Sequence, residues 1–285
     1  MNDPAEPFEQ HRGMLLGLAY QLLGSMWDAE DIVQDAFVRW MRTDRSQVRQ
    51  PRAFLITVIT RLALDQLRSA RVTREAYPGP WLPEPVSTGP GGPLEEAELR
   101  DSVSYATLQM MERLRPPERA VFVLREAFDL PYEDIAATVG ASPAACRQLH
   151  HRARQRLESG RPRFRRAAAG HTELVERFLG AARSGDLDDL RALLARDVIA
   201  WNDGGGKARA ALRPVQGREH VIRFIGGLVS KYSFEDIQLV EANGATAVWV
   251  VVGGQEQLVA FDIRDGLIHQ IFGVLNPDKL AFVRP

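Results

Sequence analysis

The sequence predicts a multidomain chain: two all-α helical domains followed by an α+β domain. Three observations carry this. Apolar residues recur at helical spacing through the first half, a Pro/Gly-rich stretch interrupts that pattern, and the last third alternates β-rich segments with hairpin turns. A length of 285 residues and a mass of 31.8 kDa fit two or three domains of roughly 100–200 residues each. With 45% hydrophobic and 26% charged residues the composition is that of a globular protein, not of a collagen, a coiled coil or a disordered chain. No apolar run approaches the ~18 residues of a membrane span, and Met1 to Gln10 lacks the basic-then-apolar start of a signal peptide, so a cytoplasmic protein is expected.

The segment from Phe8 to Arg71 reads as helices. Leu15, Leu18, Ala19, Leu22 and Leu23 are spaced for one buried face. Asp28 is the expected N-cap of a second helix, with Asp31 three residues on, and Ile32, Val33, Ala36, Phe37 and Trp40 form its apolar stripe. After Pro51 a third helix turns Phe54, Leu55, Val58, Ile59, Leu62 and Leu67 inward and leaves Arg52, Arg61, Arg68 and Arg71 outside.

Between Tyr77 and Leu94 lie six prolines and four glycines, a composition that supports neither helix nor central strand and reads as a linker. Within it, Trp81-Leu82-Pro83-Glu84-Pro85 would expose apolar area in a solvated tether, so docking onto another domain is expected. Helical periodicity resumes from Leu94 to Leu157. Tyr132 to Val139 is expected as a short helix burying Ile135, Ala136 and Val139, with Gly140 as a positive-φ turn, Ser142 as cap and Pro143 opening the next helix. This is a helix-turn-helix pattern. In its second helix Ala145, Leu149, Ala153 and Leu157 face inward, leaving Ala144, Arg147, Gln148, His151 and Arg154 where side chains reach base edges.

The formal net charge of −1 hides a local asymmetry. From Arg147 to Arg166 the chain carries Arg147, Arg152, Arg154, Arg156, Arg161, Arg163, Arg165, Arg166, His150 and His151 against Glu158 alone among acids. So basic a run suits phosphate neutralisation better than a plain solvated face. The lone Cys146 excludes an intramolecular disulfide and reads as a packing residue; no metal site is expected.

From His171 the pattern changes. Two helices are expected, one turning Leu174, Val175, Phe178 and Leu179 inward and one opened by Gly185-Asp186 with Leu187, Leu190, Leu193 and Leu194. Val198 to Asn202 and Ala208 to Val215 read as strand-like, Glu219 to Val229 as helix, and Ala245 to Val252, Gln255 to Arg264 and Leu267 to Leu275 as strands joined by Gly253-Gly254 and Asp265-Gly266 hairpin turns.

Asp28 through Trp40, the helix end from Leu64 to Arg71, and Glu118 to Glu126 leading into the helix-turn-helix resemble regions 2 and 4 of bacterial extracytoplasmic-function sigma factors over residues 8 to 158. The remainder resembles a SnoaL-like domain of the nuclear transport factor 2-like superfamily. Trp81 to Pro85, Asp203-Gly204-Gly205-Gly206-Lys207 and Asn276-Pro277-Asp278-Lys279-Leu280 look like three signatures of the sigma-factor group that carries such an extension. The resemblance implies region 2 over 5–75, a linker over 76–98, region 4 over 99–162 and a cone-shaped regulatory domain with a curved antiparallel sheet over 168–285. It implies a core RNA polymerase partner gripped at the clamp by Asp31, Gln34 and Asp35, and promoter DNA. Arg61, Asp65, Arg68 and Arg71 would lie at the −10 element, and Arg147, Gln148, His151, Arg152, Arg154 and Arg156 at the −35 element. It further implies cis regulation in place of a separate anti-sigma factor, with no cofactor and no membrane partner.

Other classes compete. A SnoaL-like enzyme or ligand sensor fused to a DNA-binding module would use Asp203, His220 and His269 or an unidentified small ligand, yet no pair among these residues has a spacing that predicts joint orientation. Gly204 to Lys207 lacks the Ser/Thr and the following helix of a phosphate loop. A one-component repressor leaves the first helical domain unexplained.

Overall fold

A computed structural model of the chain describes residues 5–89, 92–94, 104–158 and 170–285, with the side chains of residues 70–75 and 158 outside the description. Arg161, Arg163, Arg165 and Arg166 of the basic run, and the side chain of Arg71, therefore lie outside the described residues. The chain forms two compact units: residues 1–75, 94–103 and 107–164 make one, and 76–93, 104–106 and 165–285 the other.

The first unit is helical: α1 (Glu6–Glu9), α2 (Arg12–Leu23), α3 (Met26–Arg42), α4 (Pro51–Glu75), α5 (Tyr105–Met111, whose first two residues belong to the other unit), α6 (Pro116–Glu126), α7 (Tyr132–Val139) and α8 (Pro143–Glu158). Leu15, Leu18, Ala19, Leu22 and Leu23 are buried as their spacing predicts, on a helix that packs against α3 and α4. α3 begins earlier than expected. Ser25, not Asp28, is its N-cap, accepting a hydrogen bond from Asp28 N at 3.2 Å, because Gly24 at φ 70° ends α2 and leaves the hydroxyl one residue ahead of the new helix.

Two arginines finish helix ends in this unit. Arg119 on α6 is 2% exposed and donates from Nε and Nη2 to Gln21 O, at 3.2 and 3.1 Å, and from Nη1 to Glu112 at 2.7 Å. Gln21 O is among the last carbonyls of α2, which have no partner within their own helix. Arg61 on α4 does the same for α7, donating to Thr138 O and Ala137 O, both at 3.1 Å.

The second unit is α+β, with α9 (His171–Ser184), α10 (Leu187–Leu193), β1 (Leu194–Asp203), β2 (Val215–Gln216), α11 (Arg218–Lys231), β3 (Phe234–Ala242), β4 (Ala245–Val252), β5 (Gln255–Arg264) and β6 (Leu267–Val274). The sheet order is β2-β1-β6-β5-β4-β3. It is antiparallel apart from the β1–β6 pair, which runs parallel and makes the sheet mixed. Three hairpin turns, Asn243-Gly244, Gly253-Gly254 and Asp265-Gly266, have both residues at positive φ, the backbone a two-residue turn between twisted strands requires. Irregular register within β1–β6, β3–β4 and β5–β6 lets the sheet curve. β3 is absent from the sequence expectation because Phe234 to Ala242 is broken by Asp236 at φ 47° in an irregular stretch. The strand expected over Ala208 to Val215 shrinks to β2, since Arg213-Pro214 precedes it and Gly217 closes it.

Both faces of this sheet are buried. Val248, Val250, Phe261 and Ile271 meet Val175 and Phe178 of α9, Leu190 and Leu193 of α10 and Val221 and Ile222 of α11. The opposite face presents Trp249, Leu258, Phe272 and Val274, covered by Leu82 and Tyr105 from before the domain and by Leu280 and Val283 from its end. This accounts for β4, whose Ala-Thr-Ala-Val-Trp-Val-Val-Val lacks the alternation of a half-solvated strand.

Candidate functional site

Three segments far apart in sequence converge on the second unit's covered face. Asp203, at the end of β1, is 0% exposed, and its carboxylate accepts from Tyr77 Oη at 2.5 Å, Leu82 N at 2.9 Å and Lys279 Nζ at 2.8 Å. Lys279 is 4% exposed and also donates to Leu82 O at 2.5 Å, so both backbone polar atoms of Leu82 are held by the same buried ion pair. Its ammonium lies 3.3 Å from the Trp81 ring centre and 4.8 Å from that of Tyr77, an arrangement in which aromatic faces replace water around a cation. Burial beside a carboxylate pushes the Tyr77 hydroxyl far above its ordinary range, which keeps it a proton donor.

The supporting loops explain the residue types. Asn276 caps a short 3-10 turn, accepting from Asp278 N at 3.2 Å, and that turn delivers Lys279 inward while Asn276 Nδ2 donates to Tyr77 Oη at 2.9 Å. A Cβ on Gly205 would collide with the Asn276 amide and lie 2.7 Å from Tyr77 Oη, and one on Gly206 would lie 2.9 Å from Pro78 Cγ. Only glycine lets this turn lie against the linker. Lys207 pairs with Asp278 at 2.5 Å in an exposed contact of small energetic weight. Farther on, Tyr105 Oη donates to Pro83 O at 2.6 Å, and Val86 exchanges backbone and side-chain bonds with Asn243 at 3.0 and 3.2 Å. Sequence reasoning missed Tyr77 and Tyr105, which belong to no short motif, and the only sign of either is an aromatic bordering apolar or Pro-rich sequence.

In the first unit the outward residues of α8, namely Ala144, Arg147, Gln148, His151, Arg152 and Arg154, are all exposed. The Ser142 hydroxyl accepts from Ala145 N at 3.1 Å and sets the start of that helix. Three details differ from expectation. Thr138 is buried where Val139 was expected, because the last turn of α7 meets Thr57 of α4, with the two hydroxyls 3.2 Å apart. Arg156, expected near phosphate, is ion-paired to Glu118, which is 1% exposed. His150, counted in the basic run, is buried; Tyr132 Oη lies 2.9 Å from Nδ1, and Nε2 sits 2.8 Å from the Glu126 carboxylate, which as an acceptor places the ring proton on Nε2. Cys146 is buried as a packing residue and its thiol is pushed up by that burial.

On α4, Arg61 is committed to the end of α7, while Arg68 and Asp65 form an exposed pair at 3.1 Å. On α3, Asp31, Gln34 and Asp35 are exposed. Trp27, Val38 and Met41, 53%, 40% and 42% exposed, share their face at helical spacing, so the stripe mixes acids with apolar side chains, a feature the sequence reading missed. Among the described residues no helix is long and apolar enough to cross a membrane, and no group of His, Cys, Asp and Glu is arranged to hold a metal ion.

A helix-turn-helix with a basic outer face, preceded by a second helical region and tied to an α+β domain, defines a modular DNA-binding protein of transcription. The chain matches the Sigma-70 region 2 family over residues 7–73, Sigma-70 region 4 over 105–157 and the SnoaL-like domain over 175–271. It is 40% identical to the ECF RNA polymerase sigma factor SigJ of Mycobacterium tuberculosis over 96% of this chain and 92% of that one, and 39% identical to the probable ECF sigma factor SigI of the same species over 71% of each. The crystal structure of Mycobacterium tuberculosis SigJ superposes with a TM-score of 0.81 at 37% identity, covering 97% of this chain and 98% of that one. The chain belongs to the extracytoplasmic-function RNA polymerase sigma factors.

Two outcomes follow from the site. Lys279→Met leaves Asp203 buried without its cation and lowers folding stability by about 3–5 kcal/mol; adding Asp203→Asn costs less than the sum of the single changes by about 1–3 kcal/mol in urea titrations of the full chain. Burial holds the His150 imidazole below its ordinary 6.5, against the opposing pull of Glu126. The unfolded chain binds that proton more readily, so stability is full above pH 6.5 and is lost as pH falls through the lowered value. In urea titrations at a series of pH values, His150→Gln should flatten the pH dependence below pH 6.5.

Proposed function

We propose that the first unit recognises a two-element promoter, with α8 at the −35 major groove and α4 near the −10 element, while α3 binds the core polymerase and the C-terminal domain governs the linker between the two DNA-binding regions in cis. The observation that carries the reading is Leu82. The segment joining region 2 to region 4 has a fully buried leucine whose N–H and C=O are both held by the Asp203–Lys279 pair. A tether so anchored cannot lengthen or move freely, so the C-terminal domain sets the reach between the two DNA-binding regions. Domain limits of 5–75, 76–98, 99–162 and 168–285 fit this division of labour.

Arg147, Gln148, His151 and Arg154 are proposed for base edges and Arg152 for phosphate; Arg156 serves Glu118 first. The exposed stripe of Trp27, Asp31, Gln34, Asp35, Val38 and Met41 offers carboxylates to a basic surface and apolar area beside them, as a protein interface requires. Arg61, proposed for the −10 element, also donates to two carbonyls of α7. The C-terminal domain is read as non-catalytic, since Asp203 is consumed by the clasp.

Run-off transcription with purified protein and core enzyme tests promoter recognition. Arg147→Ala should cost about 1–3 kcal/mol of base discrimination in the −35 element, while Arg152→Ala weakens specific and scrambled duplexes alike. For the clasp, Trp81→Ala should change reporter activity at equal protein level, as should truncation before Asn276 or after Arg166. Activity equal to wild type in all three refutes cis control.

A further inference from the structure

Arg147 does not leave α8 unsupported. Its guanidinium carbon lies 5.7 Å from the ring centre of Tyr132, the first residue of α7, and its Nη1 is 4.0 Å from the carboxylate of Glu133. With 54% of its side chain exposed, it remains open to a partner. A long arginine loses rotamer freedom when it binds, and a surface that holds it beforehand lowers that cost.

Tyr132 is held in its turn from the inside. Its hydroxyl lies 2.9 Å from His150 Nδ1, and Nε2 of the same imidazole meets the Glu126 carboxylate at 2.8 Å. Since Nε2 carries the ring proton, Nδ1 is the acceptor and the tyrosine hydroxyl donates inward. That proton is spent on His150 and not offered to a DNA phosphate. Arg125 lies over the same aromatic ring, 5.3 Å from its centre, and is itself fixed by Leu130 O at 2.8 Å and Asp129 at 3.3 Å. What Tyr132 presents outward is therefore its ring, anchored at the hydroxyl end by a buried histidine of α8 itself. Glu133 is exposed and pairs with Arg147 only at the limit of ion-pair distance, so it adds little.

We propose that Tyr132 is a positioning residue for base recognition: its ring holds the Arg147 guanidinium in the orientation that meets a base edge, without touching a base. The proposal rests on the assignment of Arg147 to the −35 element.

The test uses holoenzyme reconstituted from the full-length chain and core RNA polymerase, on barcoded duplex templates randomised in the −35 region, and reads base preference at each position from the sequenced transcripts. Preference is a ratio within one sample, so a partly folded variant scales all templates alike. Arg147→Ala should relax preference at the positions it reads. Tyr132→Leu and Tyr132→Met, two ring-free variants, should lower preference at those same positions about two- to fivefold, the range of an exposed cation–π contact, and leave the others as in wild type. Tyr132→Phe, which keeps the ring, should retain the wild-type preference. In a chain already carrying Arg147→Ala, Tyr132→Leu should change nothing further. No relaxed position in Arg147→Ala overturns the assignment of Arg147 and the proposal with it. Where that relaxation is present, unchanged preference in both ring-free variants, a loss spread evenly over all positions as a phosphate contact by Tyr132 would give, an equal loss in Tyr132→Phe, or an added loss in the double variant overturns the proposal alone.

Discussion

A carboxylate cannot stay ionised inside a protein without a cation and hydrogen bonds to replace water, and Asp203 is satisfied only when three separate segments are in place together. Tyr77 and Leu82 come from the linker and Lys279 from the C-terminal turn. Remove any one and the others lose a partner. The same assembly puts Leu82, Tyr105, Leu280 and Val283 over Trp249, Leu258 and Phe272, so a polar lock holds an apolar cover on the sheet. The interaction is directional where the hydrophobic contact is not: it selects which residues of the linker are buried, and in which register.

The first unit uses charge differently. Arg119 and Arg61 each complete the carbonyl end of a helix from another element, supplying donors to acceptors that a helix leaves unmet at its C-terminus. Arg119 is buried and its role is structural. Arg61 is exposed, so its bonds exchange with water at lower cost. Glu118 has a similar double duty: it accepts from Arg115 N at 3.1 Å at the start of α6 and pairs with Arg156 of α8, joining the helix before the helix-turn-helix to the recognition helix itself.

Helices α2, α4 and α8 were legible because a repeat near 3.6 residues survives whatever the helix packs against. The hairpins were legible because Gly253-Gly254 and Asp265-Gly266 tolerate positive φ. β3 was not, since its half-buried residues Phe234, Ile237 and Val240 fall at a spacing of three, which strand alternation does not produce; the irregular stretch at Asp236 accounts for it. The site was legible as three short motifs, while its chemistry was not: nothing in Asp203 to Lys207 says that the aspartate, rather than the lysine, is buried.

By itself the sequence determined the order of the modules, the helix-turn-helix with its basic outer face, and the presence of apolar residues in a linker too polar and Pro-rich to hide them. These are local properties, readable from periodicity, turn residues and charge. Only the tertiary structure decided which partner each polar group takes: Lys279 for Asp203, Glu118 for Arg156, Glu126 and Tyr132 for His150, and the end of α7 for Arg61. Those choices join residues 18 to 77 positions apart. They depend on desolvation, and a group's loss of water is set by what the rest of the fold packs around it.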